Sequence, residues 1–301
     1  MNEQILIQHA LKFLAEREYD RTSVSPETLA GKLSVSQAQV DRLLRDLRSA
    51  DLIEVDSLVL TPSGREYALH VLRAHRLYET YLARKTGVPE AAWHERADVT
   101  EHRLSESDVR ELSETLGDPR FDPHGDPIPT AAGDMPAKLG KPLTDYPSGW
   151  KGRVVHVEDE PPKLYARIAQ AGIAPDTVVR IEETGAHEVR IRVEGCTFDL
   201  PREVAGQITA VGLKAGEDFD ESIERLSSLR QSEEAAIVGL SPLCRGLERN
   251  RLLDLGVVPG TVVTVDLMNP SGSPTAYRIR GASIALRDDQ ARRVRIRKVR
   301  Q

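Results

Sequence analysis

The chain has 301 residues, 29% of them charged, with 47 acidic against 41 basic side chains and a formal net charge of −6. That length suffices for two or three small domains. The acidic balance excludes a protein that coats nucleic acid by bulk charge, while leaving room for a local DNA-reading helix.

No stretch approaches the ~20 apolar residues of a membrane span. The opening "MNEQILIQHALKF" lacks the basic start and apolar run of a signal peptide. Cys196 and Cys244 stand outside any C-x-x-C pattern, as buried small residues of a reducing compartment do. The expectation is a soluble cytoplasmic protein with no membrane insertion.

In chain order, residues 2–17 read as an amphipathic helix. In "SVSPETLAGKL", Ser25 suits an N-cap with Pro26 at the first helical position, and a short helix reaches about Leu33. Ser36 can cap the next helix, 36–48, where Val40, Leu43, Leu44 and Leu47 repeat at i, i+3, i+4, i+7 as one buried stripe. Its polar side carries Ser36, Gln37, Gln39, Arg42 and Arg45, and Gln and Arg suit adenine and guanine edges in the major groove. Two short strands, "LIEV" and "LVLT", joined at Asp56-Ser57, follow as a hairpin "wing". This is a winged helix-turn-helix pattern. Thr61-Pro62 then opens a long helix to about Lys85.

"WHERADVTEH", residues 93–102, begins the next helix. At 100° per residue, with His94 as zero, Asp98 falls near ~40°, Glu101 near ~−20° and His102 near ~80°. Nitrogen and oxygen donors on one stripe are what a divalent metal needs, and also what a plain polar face can present. The segment alone leaves both open. The Pro-, Gly- and Asp-rich "GDPRFDPHGDPIPTAAGDMP" is a loop, in which His124 reads as a plain loop histidine.

The remainder repeats. "IAQAGIAPDTVVRI" (168–181) matches "LLDLGVVPGTVVTV" (252–265), and "GCTFDLPREVAGQI" (195–208) matches "GASIALRDDQARRV" (281–294). Two copies of one small β-rich module follow. The charged segment between them reads as a linker, part helix. The basic end, "RRVRIRKVRQ", alternates like an edge strand with outward charges.

Three stretches together, "LTPSGREYALHVLRAHRLYETYL", "HERADVTEH" and "DPHGDPIP", resemble the diphtheria-toxin-repressor family of metal-dependent transcriptional regulators, over roughly residues 5–132. Residues 151–212 and 234–299 resemble FeoA-like modules, small SH3-like β-barrels. The resemblance implies a multidomain α+β chain. It would have a winged helix-turn-helix DNA-binding domain at 1–64 and a helical dimerisation and metal-binding domain at 65–140. FeoA-like barrels would follow at 141–212 and 234–301, about a linker at 213–233.

By position, the resemblance implies a primary metal site of His9, Asp98, Glu101 and His102 and an ancillary site of His75, Glu79 and His94. Glu158 is the candidate for a further ligand from the first barrel. Iron-type members carry Met and Cys at the positions of His9 and Asp98, so this set lies nearer the carboxylate-bearing manganese type. Asp122 and Asp126 stand where iron-type members carry Ser and Asn in an anion-binding loop, while that loop's arginine is kept as Arg76.

With no sulfur donor, imidazole and carboxylate suit Mn(II) and Fe(II), and also Zn(II) and Co(II). Three carboxylates, Glu79, Asp98 and Glu101, are expected to repel one another without metal and loosen the arrangement. The function implied is a non-enzymatic, metal-dependent repressor of manganese or iron homeostasis that binds palindromic operator DNA as a metal-loaded homodimer. Two other classes are an adaptor acting through its FeoA-like modules on a ferrous-iron transporter, and a metallohydrolase. The second lacks a nucleophile or general base in any recognisable motif.

Overall fold

The computed structural model of the chain describes residues 3–269 and 272–299. They form two compact units. One takes the chain up to Leu82, Val88–Asp122 and Asp126–Ala137; the other takes Ala83–Gly87, Pro123–Gly125 and the chain from Lys138 on. Among the described residues no helix is long and apolar enough to cross a membrane.

The first unit is helical: α1 (Glu3–Tyr19), α2 (Pro26–Leu33), α3 (Gln37–Ser49), α4 (Pro62–Lys85), α5 (Trp93–Thr100) and α6 (Glu106–Leu116). Local chemistry sets the boundaries. Ser25 Oγ accepts the Thr28 N–H at 3.2 Å, with Pro26 at the start of α2. Ser34, in the left-handed region at φ 54°, makes the turn into α3. Gln39 Oε1 accepts the Ser36 N–H at 3.0 Å as the α3 cap. Leu29 and Leu33 of α2, the Val40, Leu43, Leu44, Leu47 stripe of α3, and Leu11 and Leu14 of α1 share one buried core. The polar side of α3 faces outward.

Thr61 Oγ1 accepts the Gly64 N–H at 3.0 Å where α4 begins. Gly64 is there because a Cβ would lie 1.8 Å from the Leu52 carbonyl oxygen, so only glycine lets α4 start against that segment.

Two elements differ from expectation here. The wing is reduced to a single bridge, Ile53 with Leu60, backed by the Glu54 N–H to Val59 carbonyl bond. Val55 and Val59 are 74% and 52% exposed, so the hairpin buries little surface to sustain a ladder. And α5 stops at Thr100. Glu101–Arg103 tighten into a 3₁₀ turn, which breaks the single stripe drawn for a continuous helix.

The second unit holds two antiparallel six-stranded sheets. The first contains β1 (Lys141–Pro142), β2 (Lys151–Val157), β3 (Val178–Thr184), β4 (Glu188–Val193), β5 (Cys196–Pro201) and β6 (Ile208–Gly212), with α7 (Pro162–Ala171) and α8 (Arg202–Ala205). The second contains β7 (Ile223–Arg225), β8 (Glu234–Leu240), β9 (Val262–Met268), β10 (Thr275–Ile279), β11 (Ala282–Leu286) and β12 (Val294–Lys298), with α9 (Gly246–Asp254) and α10 (Asp288–Ala291). The orders are β5-β4-β3-β2-β6-β1 and β11-β10-β9-β8-β12-β7, the same topology twice. This is the sequence repeat in three dimensions. Each copy encloses its own apolar core, and strands alternate accordingly: Val189, Ile191 and Val193 point in while Arg190 and Arg192 point out.

The segment expected as a part-helical linker contains no α-helix. It supplies β7, which pairs with β12 as β1 pairs with β6. The basic strand β12 therefore lies inside its sheet, between β8 and β7, and is not an edge. Its charges are met by acidic partners, Lys298 by Glu224 at 3.2 Å and Arg297 by Asp220 at 2.5 Å. Arg300 and Gln301 lie outside the described residues.

The two modules are joined by a buried ion pair. Arg225 of β7 donates to Glu194 at 3.1 Å and to the Ala171 carbonyl at 2.7 Å. A Cβ on Gly172 would come within 2.2 Å of that guanidinium.

Candidate metal centre

Within the first unit, donors from α1, α4, α5 and the 3₁₀ turn meet in three groups. His9, Glu101 and His102 each bring an atom within 4.8 Å of the others; so do His75, Glu79 and His94, and His75, Asp98 and Glu101. All seven residues expected in the two sites thus gather, but in a different partition. Asp98 does not join His9 and His102; it stands with His75 and Glu101. Glu158 is exposed and follows β2 in the second unit.

In the first group the Nε2 atoms of His9 and His102 are 3.1 Å apart, and Glu101 Oε1 lies 3.6 and 3.7 Å from them. His102 Nδ1 donates to Gln8 Oε1, and the Gln8 amide donates to the Tyr67 hydroxyl at 2.8 Å. That bond puts the His102 proton on Nδ1 and turns the Nε2 lone pair toward His9 and Glu101. Metal-binding imidazoles are commonly held this way through their other nitrogen. Burial, helped by the neighbouring Lys12 charge, holds His9 below the usual histidine range. Burial likewise lowers His102. Both rings are neutral donors at neutral pH. An open cleft of about 530 Å³, lined in part by Gln8, His9, Asp98 and His102, gives access from solvent.

In the second group, His75 Nε2 lies 3.2 Å and His94 Nδ1 3.3 Å from Glu79 Oε1. Burial pulls the His75 imidazole down, but the Glu79 charge and hydrogen bonds to Glu101 and Glu79 outweigh it and raise it to about 9. His75 is therefore protonated at neutral pH and must lose that proton to serve as a ligand. The hydrogen bond to Glu79 raises His94 as well.

The third group already holds a cation. Lys12 Nζ lies 2.7 Å from Asp98 Oδ1, 3.0 Å from Glu101 Oε2 and 3.2 Å from His75 Nδ1. Burial works against the Lys12 charge, but Glu101 and Asp98 outweigh it and keep the ammonium above the usual lysine value. In return, although burial alone raises the Asp98 carboxyl, Lys12 with His75 and His94 pulls it down to about 2. Burial raises Glu101 too, and the His75 hydrogen bond and Lys12 reverse that. Lys12 and His75 thus stand between Glu79, Asp98 and Glu101 as counter-charges to the repulsion expected among them. Sequence reasoning passed over Lys12 and Gln8. The signal for Lys12 was its place three residues after His9, on the same helical face.

A similar compensation fills the loop beyond α6. Arg76, buried on α4, donates to the Pro127 carbonyl at 2.6 Å and to Glu16 at 3.2 Å, and Asp126 stands 3.8 Å away. The chain's own carboxylates occupy this guanidinium, where an anion-binding loop would leave it for an external anion.

His124 is not a plain loop residue. It is 5% exposed, packs edge-on against Tyr165 and lies 3.7 Å from Asp159.

On α3, Ser36, Gln37, Gln39, Arg42 and Arg45 are all exposed. Three are partly engaged: Ser36 and Gln39 in the cap, where the Ser36 hydroxyl donates to Gln39 Oε1 at 2.9 Å, and Gln37, whose amide donates to Asp41 at 3.2 Å.

The chain is similar to known proteins over most of this region. A family model described as "Iron dependent repressor, metal binding and dimerisation domain" matches residues 61–130, and one described as "FeoA domain" matches 141–211 and 224–298. The iron-dependent repressor IdeR of Mycobacterium tuberculosis is 30% identical over 224 residues, 68% of this chain and 96% of that protein. The protein of the same name from Mycobacterium leprae is 33% identical over 195 residues, 59% of this chain and 84% of its own. A solved manganese-dependent transcriptional repressor in complex with manganese superposes with a TM-score of 0.62 at 31% identity, covering 68% of this chain and all of that one.

Proposed function

The chain belongs to the iron-dependent repressor family, and from that membership we propose that it represses transcription as a homodimer bound to palindromic operator DNA, under the control of a divalent ion, Mn(II) or Fe(II). Its output is the control of manganese or iron supply. The observation that carries this reading is the meeting of His9, on the helix that packs against the helix-turn-helix core, with Glu101 and His102 beyond α5.

The donor chemistry fits such an ion: imidazoles, with His9 and His102 held neutral, buried carboxylates and no sulfur. His9, Glu101 and His102 would hold one ion, and His75, Glu79 and His94 a second, with Asp98 beside both. Bound there, an ion supplies positive charge that ties the donors of separate helices together. The chain's own residues do the rest. Gln8, braced by Tyr67, aims His102. Glu101 is buried and offers one oxygen to His9 and His102. Ser36, Gln37, Gln39 and Arg42 are exposed and of the right types to read base edges and phosphates.

The reading is tested by selecting duplexes from a random pool on the purified protein, once with Mn(II) and once with chelator. Enrichment of a palindrome with half-sites about 10 base pairs apart, only in the Mn(II) arm, is the expected result. Equal enrichment in both arms, or none in either, removes it.

A further inference from the structure

We propose that Lys12 is a built-in cation of the metal centre: its ammonium fills the His75–Asp98–Glu101 group in place of a divalent ion and competes with metal for the carboxylates, setting how much metal the protein needs. The proposal rests on the metal-dependent reading given above and deepens it.

The geometry is specific. Three atoms able to ligate an ion, His75 Nδ1, Asp98 Oδ1 and Glu101 Oε2, all lie within 3.2 Å of Lys12 Nζ. Asp98 and Glu101 bind it as hydrogen-bond acceptors, as they would a metal. His75 Nδ1 stands beside the ammonium and against the same two carboxylates. The lysine is 9% exposed, and a charge so buried persists only where it is paired.

Its position also matters. Glu101 turns Oε2 to Lys12 and Oε1 to the His9–His102 group, while His75 turns Nδ1 toward Lys12 and Nε2 to Glu79. Each flanking group therefore shares one residue with the ammonium. A dication entering either must overcome a like charge across that shared residue. Lys12 also comes from α1, so the bond to Asp98 and Glu101 fastens α1 to α5 without metal. On this proposal the residue that fastens the helices also raises the metal threshold of the centre.

The test is calorimetric titration of Mn(II) into full-length wild type, Lys12→Gln and Lys12→Met, with thermal unfolding of each in chelator and in Mn(II). Both variants should bind Mn(II) about tenfold or more tightly than wild type. Their melting temperatures should fall in chelator and recover in Mn(II), with a larger metal-induced rise than wild type shows. Variants that fold only when Mn(II) is present also support the proposal, since ion and ammonium are then interchangeable. Wild type that binds Mn(II) while the variants bind it equally or more weakly overturns the role of Lys12 and leaves the metal reading standing. Variants that stay unfolded with Mn(II) overturn it as well. No Mn(II) uptake by any of the three overturns both.

Discussion

Glu101 presents its two oxygens to opposite sides: Oε1 stands 3.6 Å from His9 Nε2, and Oε2 accepts from Lys12 at 3.0 Å. It is 4% exposed, so the reading of "WHERADVTEH" as a solvated polar face does not hold at this residue. Glu101→Gln keeps the shape and removes the charge. Metal-activated DNA binding should be lost, and because Lys12 and His75 lose a buried counter-charge, metal-free stability should fall by about 1–3 kcal/mol. Urea unfolding in chelator and Mn(II) calorimetry check the two halves. A variant with unaltered Mn(II) affinity removes Glu101 from the centre.

Base reading by α3 has its own test. Arg42 is exposed and, among the described residues, no bonded partner competes for the face it offers, whereas Gln37 is tied to Asp41 and Gln39 to the helix cap. Arg42→Ala should weaken specific binding by about 1–3 kcal/mol. Gln37→Ala should cost less. The measurement is the ratio of affinities for a selected palindrome and a scrambled duplex; a ratio unchanged by Arg42→Ala takes that residue out of the readout.

The pair that joins the two FeoA-like modules should matter for stability alone. Arg225 is buried and the Glu194 side chain is only 8% exposed, and burial raises the Glu194 carboxyl even with Arg225 and Arg295 beside it. Arg225→Ala leaves that carboxylate without its main partner and should cost about 3–5 kcal/mol. Urea unfolding of the full chain reads this, and a loss within about 0.5 kcal/mol contradicts it.

Cys244 should be chemically silent. It is 1% exposed, and burial pushes its thiol up to about 11, so at pH 8 almost none is the reactive thiolate. Iodoacetamide at pH 8 should modify the partly exposed Cys196 well before Cys244, and label Cys244 fully only after denaturation. Peptide mass mapping over time decides it; equal rates in the folded protein contradict the assignment.

The sequence was most legible where local chemistry decides structure. Ser25-Pro26, Ser36 with Gln39, and Thr61 before Pro62 mark helix starts that backbone geometry requires, and the α3 stripe follows from its period alone. The duplicated module was visible because each copy must rebuild the same core. What stayed hidden depends on packing between distant segments. No local signal says that Lys12 will meet Asp98, 86 residues away, or that a three-residue strand at Ile223 will find β12. The Glu101 turn tightens because three helices must bring donors to one point, which a uniform 100° wheel does not anticipate. The two short strands expected about Asp56-Ser57 shrink to one bridge because that hairpin has little to bury.

The account stands most directly on whether DNA binding requires the ion. Fluorescence anisotropy of a labelled, selected palindromic duplex, titrated with wild-type protein at fixed salt, should show tight binding with Mn(II) or Fe(II) and only weak, salt-sensitive, sequence-independent binding in chelator. Equal affinity for the palindrome with ion and with chelator would contradict it.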